Sequence, residues 1–458
     1  MASRGLVVAG LTSGSGKTTV TLGLLRAMRR AGIGVNAAKS GPDYIDAAFL
    51  AAASGASAVN LDSHAMRRDL IRHLAAERPE PRLLVEGVMG LFDGTDGGSG
   101  STVSVAEALQ APVMLGLDAR HQGQTAAALA AGIATQLPDG VSLAGVVLNR
   151  IASPRHEELI SAALAERGIA LFGSLPANGD IEIPSRHLGL VQAADLAASG
   201  ALEPMIDKAA ELVAAHLDLG AIEAAFAGIA APETGPALLP PPGHRIAIAR
   251  DAAFGFSYEH LMAGWRDAGA EIMNFSPLAD EAPPPNADFI FLPGGYPELH
   301  LPELSRAGNF LGGLRAAAER GTRIYGECGG YMVLGATIID AEGTSYPMAG
   351  LLALETSFAN RKLQLGYRRM TPLAQAWPSL EPVTGHEFHY TSATRAEGDP
   401  LVAVSDAAGR DLGTMGLVRG SGAGAYAHII AGIQRRSQPS ASAARPRFGR
   451  RICACAAS

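Results

Sequence analysis

A short apolar run, Gly5-Leu-Val-Val-Ala9, feeds directly into Gly10-Leu-Thr-Ser-Gly14-Ser-Gly16-Lys17-Thr18, and a stretch with helical periodicity follows. This order of strand, glycine-rich loop and helix constrains the fold more than any other feature of the chain. Glycines let backbone N–H groups turn inward around phosphate oxygens, and the helix N-terminus adds partial positive charge. Gly14 and Gly16 would form the cradle, with Lys17 reaching the β- and γ-phosphates. The Thr18 hydroxyl would meet Mg²⁺, with Thr19 beside it on the nucleotide. The first glycine lies six positions before Gly16 instead of the usual five.

At 458 residues the chain exceeds one ordinary core, and its 48% apolar content is that of a globular protein, so at least two domains are expected. A net charge of −7 argues against a nucleic-acid partner. No apolar run approaches a bilayer span, and the N-terminus lacks a signal-peptide pattern. Three cysteines, two of them Cys453 and Cys455 near the C-terminus, make no disulfide framework. These features predict a cytoplasmic protein without a membrane partner. The amphipathic helices leave a homodimer open.

Strand-like runs at 5–10, 33–39, 82–87, 112–118 and 142–149 alternate with helical periodicity at 17–31, 103–110, 122–136 and 154–167. Continuous apolar strands of this kind belong to a parallel sheet covered on both faces. Residues 231–243, rich in proline, break the pattern and read as a linker. The rhythm restarts with strands at 245–250, 288–293 and 322–326 and helices at 256–268 and 303–320. The expected organisation is therefore two α/β domains, 1–230 and 244–435, joined by 231–243. Residues 436–458, rich in Ser, Ala, Arg and Pro, read as a disordered tail.

Acidic residues cluster where the first sheet would deliver them. Asp43 and Asp46 follow the second strand in Lys39-Ser-Gly-Pro-Asp43-Tyr44-Ile-Asp46. Glu86 ends the third in Val85-Glu86-Gly-Val-Met-Gly-Leu-Phe-Asp93-Gly94. Ligands of open parallel sheets sit off the carboxyl ends of strands, so these acids suit metal or substrate work, although each also fits a tight turn. Asn149, closing the fifth strand, suits either nucleotide-base reading or ordinary loop polarity. His64, His73, His121, His156 and His187 show no metal-like pairing.

In the second half a strand runs into Gly326-Glu327-Cys328-Gly329-Gly330 and then a helix, the elbow geometry that presents a nucleophile. The helix N-terminus is expected to lower the thiol pKa. His386, His389 and His428 are candidate bases. The turn Leu292-Pro-Gly294-Gly295-Tyr-Pro-Glu298 could supply further N–H groups for an oxyanion pocket together with Gly329, or simply be a tight turn.

Over about residues 5–435 these motifs together resemble the cobyrinic/hydrogenobyrinic acid a,c-diamide synthases. The shifted glycine spacing is that family's own. The resemblance implies a P-loop NTPase-like parallel-sheet domain similar to dethiobiotin synthetase, followed by a class I glutamine amidotransferase-like α/β domain. It implies Cys328 as nucleophile and His428 as base, with no third member named. Thr18, Asp43 and Glu86 would serve Mg²⁺-ATP, and Tyr44, Asp46 and Asp93 would lie near the substrate carboxylate. The small molecules implied are glutamine, ATP and a tetrapyrrole polyacid. That polyacid is taken as hydrogenobyrinic acid, with cobyrinic acid and nickel sirohydrochlorin as alternatives. A nucleotide switch of the ParA type shares the phosphate loop but leaves the cysteine elbow unexplained. The chain departs from the family after about Ile433, where helix and a clean end are expected.

Overall fold

The computed structural model describes residues 3–177, 185–186, 189–233, 235–236, 238–374 and 381–433. His187 and the tail with Cys453 and Cys455 lie outside these residues, as does the helix expected beyond Ile433.

The first half of the chain builds one sheet. Its strands are β1 (Arg4–Gly10), β2 (Asn36–Ser40), β3 (Val59–Leu61), β4 (Arg82–Glu86), β5 (Val113–Asp118), β6 (Leu143–Ile151) and β7 (Leu171–Pro176). They lie in the order β3-β2-β4-β1-β5-β6-β7, and every neighbouring pair on this path is parallel. Helices α1 (Lys17–Arg30), α2 (Tyr44–Ser54), α3 (Arg68–Ala76), α4 (Thr102–Leu109), α5 (Thr125–Ala134) and α6 (Pro154–Ala165) make the crossovers. Leu6, Val7 and Val8 on β1 and Leu84 and Val85 on β4 are buried, as strands covered on both faces must be. Several helix starts are written in the sequence. The Asp43 carboxylate caps α2 by accepting from the N–H groups of Ile45 and Asp46, and Ser153 caps α6 just before Pro154. No side chain caps α1, whose first N–H groups open towards the glycine loop.

The second half forms a mixed sheet of ten strands. In chain order these are β8 (Arg245–Ala249), β9 (Glu271–Phe275), β10 (Phe289–Leu292), β11 (Arg323–Glu327), β12 (Gln364–Pro372), β13 (Val383–His389), β14 (Asp399–Ser405), β15 (Asp411–Arg419), β16 (Gly422–Ala425) and β17 (His428–Gly432). The spatial order is β9-β8-β10-β11-β16-β15-β14-β12-β13-β17. The first five are parallel to one another and the rest pair antiparallel.

The five first-half strands expected from sequence form within a few residues of their expected bounds. Helix 303–320 is two helices, Leu301–Arg306 and Gly308–Glu319, interrupted at Ala307, whose ψ of 77° is not helical. The antiparallel half of the second sheet was not anticipated, because its glycine-rich strands carry weak alternation. Also unanticipated were β3, α2, α3 and β7.

Aromatic residues join the two halves. The Tyr44 ring stacks on Phe256 at 4.6 Å. The Tyr258 hydroxyl donates to the Pro42 carbonyl at 2.9 Å, and the Tyr367 hydroxyl donates to Asp62 Oδ2 at 2.9 Å. Among the described residues no helix is long and apolar enough to cross a membrane.

Candidate active site

Gly14 and Gly16 take φ of 73° and 88°, values that L side chains rarely adopt, and so the loop before α1 can curl back on itself. Its curl is held from outside. The Asn149 side-chain amide donates to the Ser15 carbonyl at 3.0 Å and packs against Gly16, where a Cβ would strike it. Arg150 Nη1 donates to the Gly14 carbonyl at 2.9 Å while paired with Asp118 at 2.6 Å. The Asn149 amide nitrogen, expected to face a base, is thus committed to the loop, and Arg150 is a brace that sequence reasoning missed. Lys17 Nζ donates to the carbonyls of Thr12 at 2.9 Å and Met89 at 2.6 Å, spanning the mouth of the cradle. Thr19 lies in the first turn of α1.

Behind the loop the strand ends deliver a chain of charges. The Thr18 hydroxyl donates to Glu86 Oε1 at 2.6 Å. Lys39 Nζ pairs with Glu86 at 2.9 Å and with Asp46 at 2.6 Å. Burial opposes the charged form of Lys39, but Glu86 and Asp46 outweigh it and push its pKa up. Burial raises the Glu86 and Asp43 carboxyls, with Asp46 adding to both. Lys39 belongs to the motif quoted above, yet its role as the cation between two acids was not read from it. Asp93 Oδ2 accepts from the Gly90 N–H at 2.8 Å, which shapes its loop.

The donor set fits a magnesium ion. Glu86 is fully buried, and its Oε2 has no hydrogen-bond partner among the described residues, beside the Thr18 hydroxyl. No group of three or more His, Cys, Asp or Glu able to hold a metal occurs among those residues. Mg²⁺ takes one or two protein oxygens and draws the rest from phosphates and water.

In the second half Cys328 sits at the turn between β11 and the short helix Gly329–Leu334, with φ 48° and ψ −109°. A positive φ at a residue with a Cβ costs about 1–3 kcal/mol and marks a constrained position. Its N–H donates to the Ala425 carbonyl at 2.9 Å, fixing the elbow to β16. Gly329 and Gly330 are obligatory here: a Cβ on Gly329 would lie 2.7 Å from Pro297 Cδ, and one on Gly330 would enter the Leu292 backbone. The thiol departs from expectation. Burial pushes it well up and the buried Glu298 carboxylate adds to this, while the Gly329 N–H pulls the other way without offsetting them. Burial thus outweighs the pull of the short helix on the thiol.

The three candidate bases separate by position. His389 is engaged on both nitrogens, by Glu387 at 2.8 Å and the Thr391 carbonyl at 3.0 Å, and stacks on Tyr426. Burial lowers His386 to about 3, and it faces the space between the halves. His428 stands at the elbow. A Cβ placed on Gly294 would lie 2.8 Å from His428 Nε2 and 3.2 Å from Cys328 Cβ, so both side chains meet in the space this glycine leaves. Gly295 backs onto Ala253 with no room for a side chain, and its N–H lies beside Gly329.

The two centres adjoin. The Tyr44 hydroxyl lies 3.3 Å from His428 Nε2, although Tyr44 opens α2 and stands between Lys39 and Asp46 in the chain. The sequence expectation put Tyr44 against the substrate carboxylate, yet its hydroxyl reaches the opposite centre. A cavity of about 370 Å³ lies along this junction, lined by Asp43, Tyr44, Met89, Tyr367, His386 and Phe388 among others.

Comparison with known proteins agrees with this division. Residues 6–191 match the CobQ/CobB/MinD/ParA nucleotide binding domain family, and residues 245–435 match the CobB/CobQ-like glutamine amidotransferase domain. A hydrogenobyrinate a,c-diamide synthase of Brucella anthropi is 49% identical over 436 residues, 93% of this chain and 98% of its own. That of Rhizobium meliloti is 49% identical over 429 residues, 93% of this chain and 99% of its own. The one from Rhodobacter capsulatus is 48% identical over 436 residues, 94% of this chain and 99% of its own. With both halves matched in order and the similarity running the length of these relatives, the chain belongs to the family of the hydrogenobyrinate a,c-diamide synthases.

Proposed function

We propose that this chain amidates the a and c acetate carboxylates of hydrogenobyrinic acid, using glutamine as nitrogen donor and ATP as the source of activation. The observation that carries the reading is the adjacency of the two centres: the Tyr44 hydroxyl meets His428 Nε2, and a cavity lined by Asp43, Tyr44, His386 and Phe388 lies between the two halves. A switch of the ParA type uses the first half alone and leaves the strained Cys328 and its histidine without a task. Residues 1–230 would form the amidoligase and 244–435 the glutaminase, with 231–243 between them, in a cytoplasmic enzyme.

Cys328 Sγ attacks the side-chain amide carbon of glutamine, and its proton passes to His428 Nε2. The tetrahedral oxyanion is held by N–H groups of Gly329 and of the Gly294–Gly295 turn. His428 returns the proton to the leaving nitrogen, releasing ammonia and a thioester that water hydrolyses to glutamate. Burial disfavours the free thiolate, so His428 takes the proton as the sulfur attacks.

In the first half the glycine loop, Lys17 and Thr19 hold ATP. Thr18, Glu86 and Asp43 would hold Mg²⁺, which when bound neutralises charge building on the phosphates. Asp46 and Asp93 border the substrate carboxylate. Carboxylate is a poor acyl donor because oxide is a poor leaving group. Its oxygen attacks the γ-phosphorus, ADP leaves, and ammonia then displaces phosphate from the acyl phosphate.

Two assays test this. Mass spectrometry after incubation with glutamine and Mg²⁺-ATP should show two successive amidations of hydrogenobyrinic acid. Faster conversion of cobyrinic acid, or of nickel sirohydrochlorin, would move the substrate but keep the chemistry. Cys328→Ala should lose glutamine use and retain free ammonia as donor. Loss of both in a folded variant would overturn the division of labour.

A further inference from the structure

We propose that Glu327, the residue directly before the nucleophile, positions His428 and completes a Cys-His-Glu relay whose acid precedes the cysteine in the chain. This rests on the glutaminase reading above, in which no third member had been named.

Glu327 ends β11 and is 3% exposed. Its Oε1 accepts the Ile429 N–H at 3.0 Å, which ties the carboxylate to the strand carrying the histidine. The other oxygen, Oε2, stands 3.6 Å from His428 Nδ1. His428 has no exposed surface, and at that separation its Nδ1 has no hydrogen-bond partner among the described residues. The opposite nitrogen, Nε2, lies on the Gly294 side with Cys328 Cβ. The imidazole thus has a carboxylate beside one nitrogen, while the other lies 3.3 Å from the Tyr44 hydroxyl and faces the space at Gly294 that Cys328 Cβ also borders.

Chemistry gives that order a purpose. His428 can take the Cys328 proton on Nε2 only if its neutral ring carries hydrogen on Nδ1. A carboxylate facing Nδ1 selects that tautomer and stabilises the imidazolium formed during attack. A small approach of Oε2 as glutamine binds turns 3.6 Å into a hydrogen bond, as catalytic contacts often tighten only in the complex. The other carboxylates near the elbow are placed otherwise. Glu387 is held by Arg368 and His389, and Glu298 acts on the thiol.

A bland alternative is that Glu327 serves only as acceptor for the Ile429 N–H. Glu327→Gln separates the two, because a glutamine side-chain oxygen still accepts that N–H but carries no charge for His428. The proposal expects E327Q to lower kcat for glutamine hydrolysis about 10²–10³-fold with the KM for glutamine nearly unchanged. Amidation with free ammonia should continue, and this reports that the variant is folded. Glu327→Asp, which keeps the charge, should recover part of the loss. A kcat for E327Q within threefold of the parent would overturn the proposal. A measurement needing no variant supports it independently: ¹⁵N NMR of the histidine-labelled parent should find His428 as the Nδ1–H tautomer, and an Nε2–H tautomer would overturn it. Cys328→Ala, run alongside, tests the underlying reading, since persistent glutamine hydrolysis there would sink the glutaminase assignment itself.

Discussion

The two centres of this chain are prepared for chemistry in opposite ways. The phosphate loop is open and charged, and its ions are already paired: Lys39 lies between Glu86 and Asp46, and Thr18 leans on Glu86. The elbow is closed, with a buried thiol, a buried imidazole, the buried carboxylates of Glu327 and Glu387, and a backbone held at positive φ. The first centre stores electrostatic organisation that a polyanion and its metal can take over. The second stores geometry, and burial disfavours the charged form of its nucleophile. Nucleotide sites can rely on permanent charges because the ligand brings its own. A thiol that must not react with every electrophile in water gains from staying protonated.

Four variants would break or sharpen that contrast. The largest expected effect is Glu86→Gln, which removes the acid on which Thr18 and Lys39 both depend. Synthesis with either nitrogen donor should fall about 10³-fold or more, while glutamine hydrolysis persists, as product quantification would show. Equal loss of both activities would mean that the centres are one cooperative unit. Next, Asn149→Ala removes a hydrogen bond that shapes the loop, worth about 1 kcal/mol, and should raise the KM for ATP several-fold with kcat less affected. Steady-state kinetics would check this.

Tyr44→Phe addresses the junction. It removes the hydroxyl next to His428 Nε2 and keeps the ring on Phe256. Glutamine hydrolysis without acceptor should rise several-fold, and synthesis from ammonia should change less than that. A fall in hydrolysis would show that the hydroxyl assists the base. The smallest effect is expected from Glu298→Gln. Burial raises this carboxyl from 4.5 to about 7, so it ionises as pH climbs through neutrality and then disfavours the adjacent thiolate. Removing it should speed alkylation of Cys328 by iodoacetamide at alkaline pH, with little change below neutrality. The same sign governs stability. The folded protein binds the Glu298 proton more tightly than the unfolded chain, so this contribution is present below 4.5 and is lost as pH rises through about 7.

Most of the first half was legible, because a parallel sheet leaves continuous apolar strands and a phosphate loop has an unmistakable glycine signature. Gly14, Gly16 and Lys17 stand where their spacing puts them. What could not be read was who holds whom. Asp43 and Asp93 each complete a local turn or cap, as a one-dimensional reading also allows, and Asn149 and Arg150 reach the loop only because β5 alone separates β6 from β1 in the sheet. Glu327 is adjacent in sequence to Cys328, yet its relation to His428, 101 positions on, depends on how β17 packs near the elbow. The resting state of the thiol was misjudged for a similar reason. A helix start is visible in the sequence, but the burial that outweighs it is a property of the whole fold.

Tyr44 also limits how such a chain can be taken apart. Its ring and hydroxyl fill the face formed by Phe256, Tyr258 and His428, all buried in the intact molecule. Severed at 231–243, the C-terminal portion would bare that face to water and lose one wall of its own catalytic chamber. The natural seam for recombination therefore does not coincide with the proline-rich stretch. A graft that exchanges one half between relatives must carry the 42–46 loop and its aromatic seat as a matched pair.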